Sequence, residues 1–205
     1  MSGSLKVGGS ELINDNGGSG ALQWGSSVPK GSVIEQFASP CDGSAITVQS
    51  GTYNIESVTS AQTPSSASWI PITGSAITYT PPTGTQTVVY EFHSNISGDQ
   101  GSDPVIASIR ITIGGTDVSD FRVNFNDFAN YPGSQPFTIK FPFNIGGTGN
   151  AATGRQATWT SGKEINLQIY EYSSSFHVLL HNASYWENSS TDEFHRPTIG
   201  ITALA

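Results

Sequence analysis

Apolar and polar positions alternate along this chain in short runs broken by Gly, Pro, Ser and Asn, and no helical period develops anywhere. The alternation is strongest in residues 79–94, YTPPTGTQTVVYEFHS. Pro81 and Pro82 cannot continue a ladder and Gly84 supplies a flexible corner, so a turn precedes a strand over 87–93. In that strand Val88, Tyr90 and Phe92 share an apolar face, while Val89, Glu91 and His93 take the other. This is the pattern of a half-buried antiparallel strand.

The remaining runs are organised around it. Residues 1–30 hold short apolar pieces separated by glycine-rich breaks: Leu5 and Val7, Leu12 and Ile13, Leu22 and Trp24. Such pieces bury too little to fold alone, so the segment is expected to be an arm that docks on a partner or on copies of itself. Pro29 and Gly31 mark a boundary, and a domain over 31–205 follows. Strands are predicted over 32–38, 45–48, 52–58, 105–113 and 121–126. A strand over 137–145 carries Pro142 off its apolar parity, which predicts an edge strand or a bulge. Further strands are expected over 155–160 and 163–172, with Ile165, Leu167 and Ile169 on one face and Tyr170 and Tyr172 on the other. Residues 176–181, FHVLLH, predict a strand covered on both faces, and 198–205 a terminal strand inside the fold. Loops are predicted over 94–104 and 185–195, and 146–150 as a mobile tip.

Composition narrows the function. The chain has 205 residues, one main domain's worth, with 12% charged residues and 23 glycines. A net charge of -8 and no basic cluster argue against nucleic acid and anionic membranes as partners. No apolar run has membrane-spanning or signal-peptide length, so the chain reads as made in the cytoplasm and soluble. On that ground the Asn95, Asn182 and Asn188 sequons are chance matches. Cys41 is the single cysteine, which excludes an intrachain disulfide and a thiolate metal site.

The candidate chemistry is thin. His177 and His181, four apart on a strand, stand about 13 Å from each other, too far to share a metal ion. A histidine on the axis of a trimer meeting its own copies is a separate route to a metal or pH-sensitive contact. The loop containing Asp99 and Asp103 lacks the ligand spacing of a calcium loop, and Gly146, Gly147 and Gly149 lack the lysine and helix of a phosphate cradle. No two of Glu91, Glu164, Glu171, Glu187, Asp192 and Glu193 are placed as a hydrolytic pair by spacing, and no nucleophile elbow exists. The expectation is a non-enzyme with no catalytic residue, no metal and no cofactor. Tyr170, Tyr172, Tyr185 and Trp186, among Asn and Gln neighbours, suit either a glycan-stacking surface or a subunit interface.

The opening MSGSLKVGGSELIN, the stretch YTPPTGTQTVVYEFHS and the terminal TIGITAL resemble structural and fibre proteins of marine tailed bacteriophages, and also virion proteins of some large algal viruses. The resemblance implies a jelly-roll β-sandwich similar to tumour-necrosis-factor and C1q heads, a homotrimer, and attachment to other virion proteins through Leu5, Val7, Leu12, Ile13, Leu22 and Trp24. The chain is thus expected in the virion, with host-surface glycan as a further partner at Tyr170, Tyr172, Tyr185 and Trp186. Two alternatives stay open: a capsid or tail decoration protein that clamps neighbouring subunits, and a carbohydrate-binding module.

Overall fold

The computed structural model describes residues 4–7, 9–14, 23–24, 28–64, 68–98, 105–127, 134–173, 178–183 and 193–205. Every regular element in them is a strand. β1 (Ser4–Val7), β2 (Ser10–Asn14) and β3 (Gln23–Trp24) form a small sheet of their own. β4 (Val33–Pro40) leads into a separate hairpin of β5 (Ala45–Val48) and β6 (Gly51–Asn54). Then come β7 (Ile70–Pro71), β8 (Ile77–Tyr79), β9 (Thr87–Gly98), β10 (Val105–Ile113), β11 (Thr116–Asp117) and β12 (Val123–Asp127). β13 (Gln135–Asn144), β14 (Lys163–Glu171), β15 (Val178–Leu180), β16 (Asn182–Ala183), β17 (Glu193–Phe194) and β18 (Thr198–Leu204) complete the chain.

Two sheets make the domain. One runs β13-β9-β18-β4, and β15 extends it past the end of β18, since Ile96 of β9 pairs with Gln135 on one side and Leu180 on the other. The other runs β11-β10-β14-β7, with β12 beside β10 and β8 beside β14. Take β7 with β8, and β11 with β12, as single positions, and leave aside the β1–β3 sheet, the β5–β6 hairpin and the short β15 to β17. The first, third, sixth and eighth strands in chain order then build one sheet and the second, fourth, fifth and seventh the other. With every strand pairing antiparallel, this is a jelly-roll sandwich of two Greek keys.

The core lies where alternation predicts it. Val88, Tyr90 and Phe92 of β9 and Ile165, Leu167 and Ile169 of β14 are fully buried, each contributing about 1.5–3 kcal/mol by leaving water. Rings continue from Phe37 to Tyr53 (centroids 5.4 Å), Tyr79 (5.2 Å) and Trp159 (6.4 Å). Their polar ends are satisfied inside: Tyr79 Oη donates to Glu35 at 2.8 Å, Tyr90 Oη to the Ser75 carbonyl at 2.7 Å, and Trp159 Nε1 to the Tyr79 carbonyl at 3.0 Å. β13 is an edge strand, and Pro142 sits on its exposed face, which explains the proline off the apolar parity. The C-terminal strand β18 is sealed between β9 and β4.

Four local expectations need correction. β9 does not stop at His93; it continues to Gly98 because partners on both sides take up the backbone groups of a polar sequence. Residues 146–150 are no mobile tip, since Gly146 N donates to Gln156 O at 2.8 Å and Asn150 N to Arg155 O at 3.0 Å. Residues 155–160 form no strand: Arg155 and Gln156 make single bridges, and Trp159 turns into the core. The strand expected over 52–58 ends at Asn54. The N-terminal pieces pair with one another, Leu5 opposite Ile13 and Ile13 opposite Trp24.

Candidate functional site

The outward faces of the two sheets differ, and the one on β10 and β14 gathers the aromatic and cationic groups. Register places Arg110 beside Gln168 and Ser108 beside Tyr170, with Ile109 and Ile111 turned inward against Ile169 and Leu167. β7 lies along the far side of β14, Pro71 opposite Gln168, so Trp69 arrives beside Tyr170 with ring centroids 5.5 Å apart. Two guanidinium groups lie over the Trp69 ring, Arg110 at 4.5 Å and Arg122 at 5.5 Å. Arg110 Nε donates to Gln168 Oε1 at 2.8 Å. Arg122 grips Asp117 with both terminal nitrogens, at 3.2 and 2.6 Å, and donates to the carbonyls of Val118 and Phe121. Ser108 Oγ donates to Asn124 Oδ1 at 2.7 Å, completing a row of polar side chains beside the rings.

β7 is only two residues long and is held from below. Gln62 Nε2 donates to the Pro71 carbonyl at 2.7 Å, and Thr73 N donates to Gln62 Oε1 at 2.9 Å. Thr73 Oγ1 in turn meets His181 Nε2 at 2.9 Å, and His181 Nδ1 meets Ser94 Oγ at 2.8 Å. His181 is fully buried in the left-handed region at φ 60, where burial lowers its pKa to about 4 and the Thr73 contact offsets a little of that. It is therefore a neutral clamp between β9 and the segment that carries Trp69. It lies outside any strand, so the expectation of a strand face shared with His177 fails on its side, and His177 lies outside the described residues.

The other expected site residues scatter. Tyr170 belongs to the cluster; Tyr172, 66% exposed, lies just beyond the end of β14. Tyr185, Trp186 and Leu22 lie outside the described residues. Leu5 is 57% exposed on β1 and Ile13 is half-buried on β2, while Val7, Leu12 and Trp24 occupy strand positions of the same small sheet. Of the carboxylates, Glu171 is buried and accepts from Val178 N at 3.0 Å, and Glu91 pairs with Lys140 at 3.3 Å. Glu164 and Glu193 are exposed, and Glu187 and Asp192 lie outside the described residues. Among the described residues no group of three or more His, Cys, Asp or Glu is placed to hold a metal ion. Burial pushes the Cys41 thiol up to about 12, so it is not a thiolate near neutral pH. A cleft of about 520 Å³ between Pro81, Pro82 and Trp159 has no ionisable side chain in its lining.

No protein-family model matches the chain, and no curated protein matches it. Among solved structures it is similar to a chain of infectious bursal disease virus, Gx strain, at 9% identity and a TM-score of 0.32, over 96% of this chain and 46% of that one. A chain of the Gt strain of the same virus aligns at 11% identity and a TM-score of 0.27, over 90% of this chain and 47% of that one. A family 35 carbohydrate binding module from Clostridium thermocellum aligns at 10% identity and a TM-score of 0.22, over 84% of this chain and 99% of the module. The chain spans less than half the length of the viral chains it aligns with.

Sequence reasoning missed Trp69, Arg110, Arg122, Asp117 and Gln168. Strand parity does turn Arg110, Gln168 and Tyr170 outward, but it does not say that β10 and β14 are neighbours or that β7 brings Trp69 to them.

Proposed function

We propose that the chain is a non-enzymatic structural protein of a tailed-phage virion, a trimeric fibre or head-type appendage whose residues 1–30 attach it to other virion proteins. Its β10–β14 face meets host-surface glycan. The observation that carries this reading is the half-buried Trp69 ring against Tyr170, fixed by Arg110 and Arg122 on an otherwise polar sheet face. Amphipathic rings bordered by amides and hydroxyls suit the C–H faces and hydroxyls of sugars. The jelly-roll order and the likeness of residues 79–94 to phage virion proteins point the same way. A second reading, a clamp between neighbouring virion subunits, draws on Leu5, which stays 57% exposed in the β1–β2–β3 sheet.

Trp69→Ala tests the first reading against the second. Particles assembled with the variant are expected to keep their mass and integrity and to lose adsorption to host cells. Intact adsorption together with unstable particles would favour the clamp. Light-scattering mass of the full chain, expected to be that of a trimer, checks the assembly.

A further inference from the structure

The same face distinguishes its two arginines, and resting on the glycan reading above, we propose that Arg110 receives the carboxylate of an acidic saccharide. Asp117 is already committed: Arg122 holds both its oxygens at 3.2 and 2.6 Å, whereas Arg110 Nη1 stands 3.7 Å from Asp117, beyond hydrogen-bond length. Around the Trp69 ring two guanidinium groups stand against one carboxylate, which leaves one positive charge there in a chain of net charge -8, while Glu164 stands farther along β14 on the same face. That charge is preorganised. Arg110 lies 4.5 Å from the Trp69 centroid and its Nε is held by Gln168 at 2.8 Å, so the terminal N–H edge is what remains for a planar, two-oxygen acceptor.

The face also selects the kind of molecule that brings the carboxylate. β10 is paired on both sides, with β14 along one edge and β11 and β12 along the other, and β14 is paired to β10 and to β7 and β8. An acidic peptide therefore finds few free backbone groups there for adding a strand. What stands outward around Arg110 is Tyr170, Gln168, Ser108 and Asn124, an aromatic ring with amide and hydroxyl groups, which matches a uronic acid ring better than a peptide.

The test uses the full chain and oligosaccharides of galacturonic, mannuronic and glucuronic acid, each beside its methyl ester, which keeps the rings and removes the charge. At least one acid is expected to bind, with its ester about tenfold weaker or worse, one charge-assisted pair's worth of affinity. Affinity for the acid is expected to fall as sodium chloride rises. Arg110→Gln should lose the acid's advantage over the ester while leaving the melting temperature close to the parent's; Arg110→Lys keeps the charge without the fork and should recover part of it. Equal binding of acid and ester, abolished by Trp69→Ala, would overturn the acidic preference and leave the glycan reading standing. Competition by polyglutamate as effective as the uronate would overturn the saccharide assignment. No binding of any acid or ester, with adsorption unaffected by Trp69→Ala, would overturn both.

Discussion

The two outward faces of the sandwich differ in what their strands present. On the β9 sheet, Thr138, His93, Thr198 and Pro40 stand in one row and Lys140, Glu91, Gly200 and Ala38 in the next. Lys140 and Glu91 pair at 3.3 Å with side chains 66% and 49% exposed. On the β14 sheet, the Arg122–Asp117 pair is 31% exposed on each side and lies against an indole ring. Short neighbours leave a charge in water, where it is mobile and screened; a large ring beneath it fixes its direction. Recognition is therefore expected on the second face, and three perturbations separate the two.

The largest effect is expected at two glycines, one behind the Trp69 segment and one on the β9 face. Gly74 follows the segment that carries Trp69, has φ +80, and would place a Cβ 2.7 Å from Val58 Cγ2 and 3.1 Å from Cys41 Sγ. Gly74→Ala adds left-handed strain to a collision in the core and is expected to cost about 3 kcal/mol or more in denaturant unfolding. Gly200 in β18 has no such backbone constraint, and its Cβ would meet Phe37 O at 3.3 Å and Ala38 Cβ at 3.4 Å. Gly200→Ala is expected to cost about 1 kcal/mol. Equal costs would remove the claim that the Trp69 segment is the tightly built one.

Acid sharpens the contrast next. His181 has its pKa lowered from 6.5 to about 4 by burial, so the folded chain prefers the neutral ring. Above pH 6.5 both folded and unfolded states are neutral and the contribution is constant. As pH falls from 6.5 towards 4 the unfolded state takes the proton first, and stability drops by up to about 3 kcal/mol, at 1.36 kcal/mol per unit. Because Thr73 and Ser94 hold the two ring nitrogens, the loss is centred on the tie between β9 and the Trp69 segment. Unfolding free energies at pH 7, 5.5 and 4 are expected to decline in the parent and to decline less in His181→Asn. Parallel decline in both proteins would remove His181 as the acid-sensitive tie.

Most of the sandwich was legible because strand faces are local: alternation at Val88, Tyr90 and Phe92, or at Ile165, Leu167 and Ile169, states which side is buried without knowing the partner. Pro142 announced an edge for the same local reason. The boundaries that failed were set by distant partners. Ser94, Ile96 and Ser97 become strand because Phe137, Gln135 and Leu179 lie alongside, and Trp159 becomes core because the Tyr79 carbonyl is there to accept a hydrogen bond from its indole N–H. The site failed likewise: Trp69, Arg110, Asp117 and Tyr170 come from four stretches that only the sheet order brings together. Tyr170 was reachable by parity alone, whereas Trp69 sits beside a two-residue strand with almost no pattern to read.

The smallest effect is expected at Lys140. Its bridge to Glu91 spans 3.3 Å between two largely exposed side chains. Such pairs gain little in water and lose side-chain freedom, so Lys140→Ala is expected to change stability by no more than about 0.5 kcal/mol, and by less at high salt. Uronate affinity is expected to stay within about twofold of the parent, because attraction across the thickness of a sandwich is screened within about one Debye length. A loss at Lys140 as large as that at Arg110 would mean that net charge, and not the stacked and braced guanidinium, governs binding.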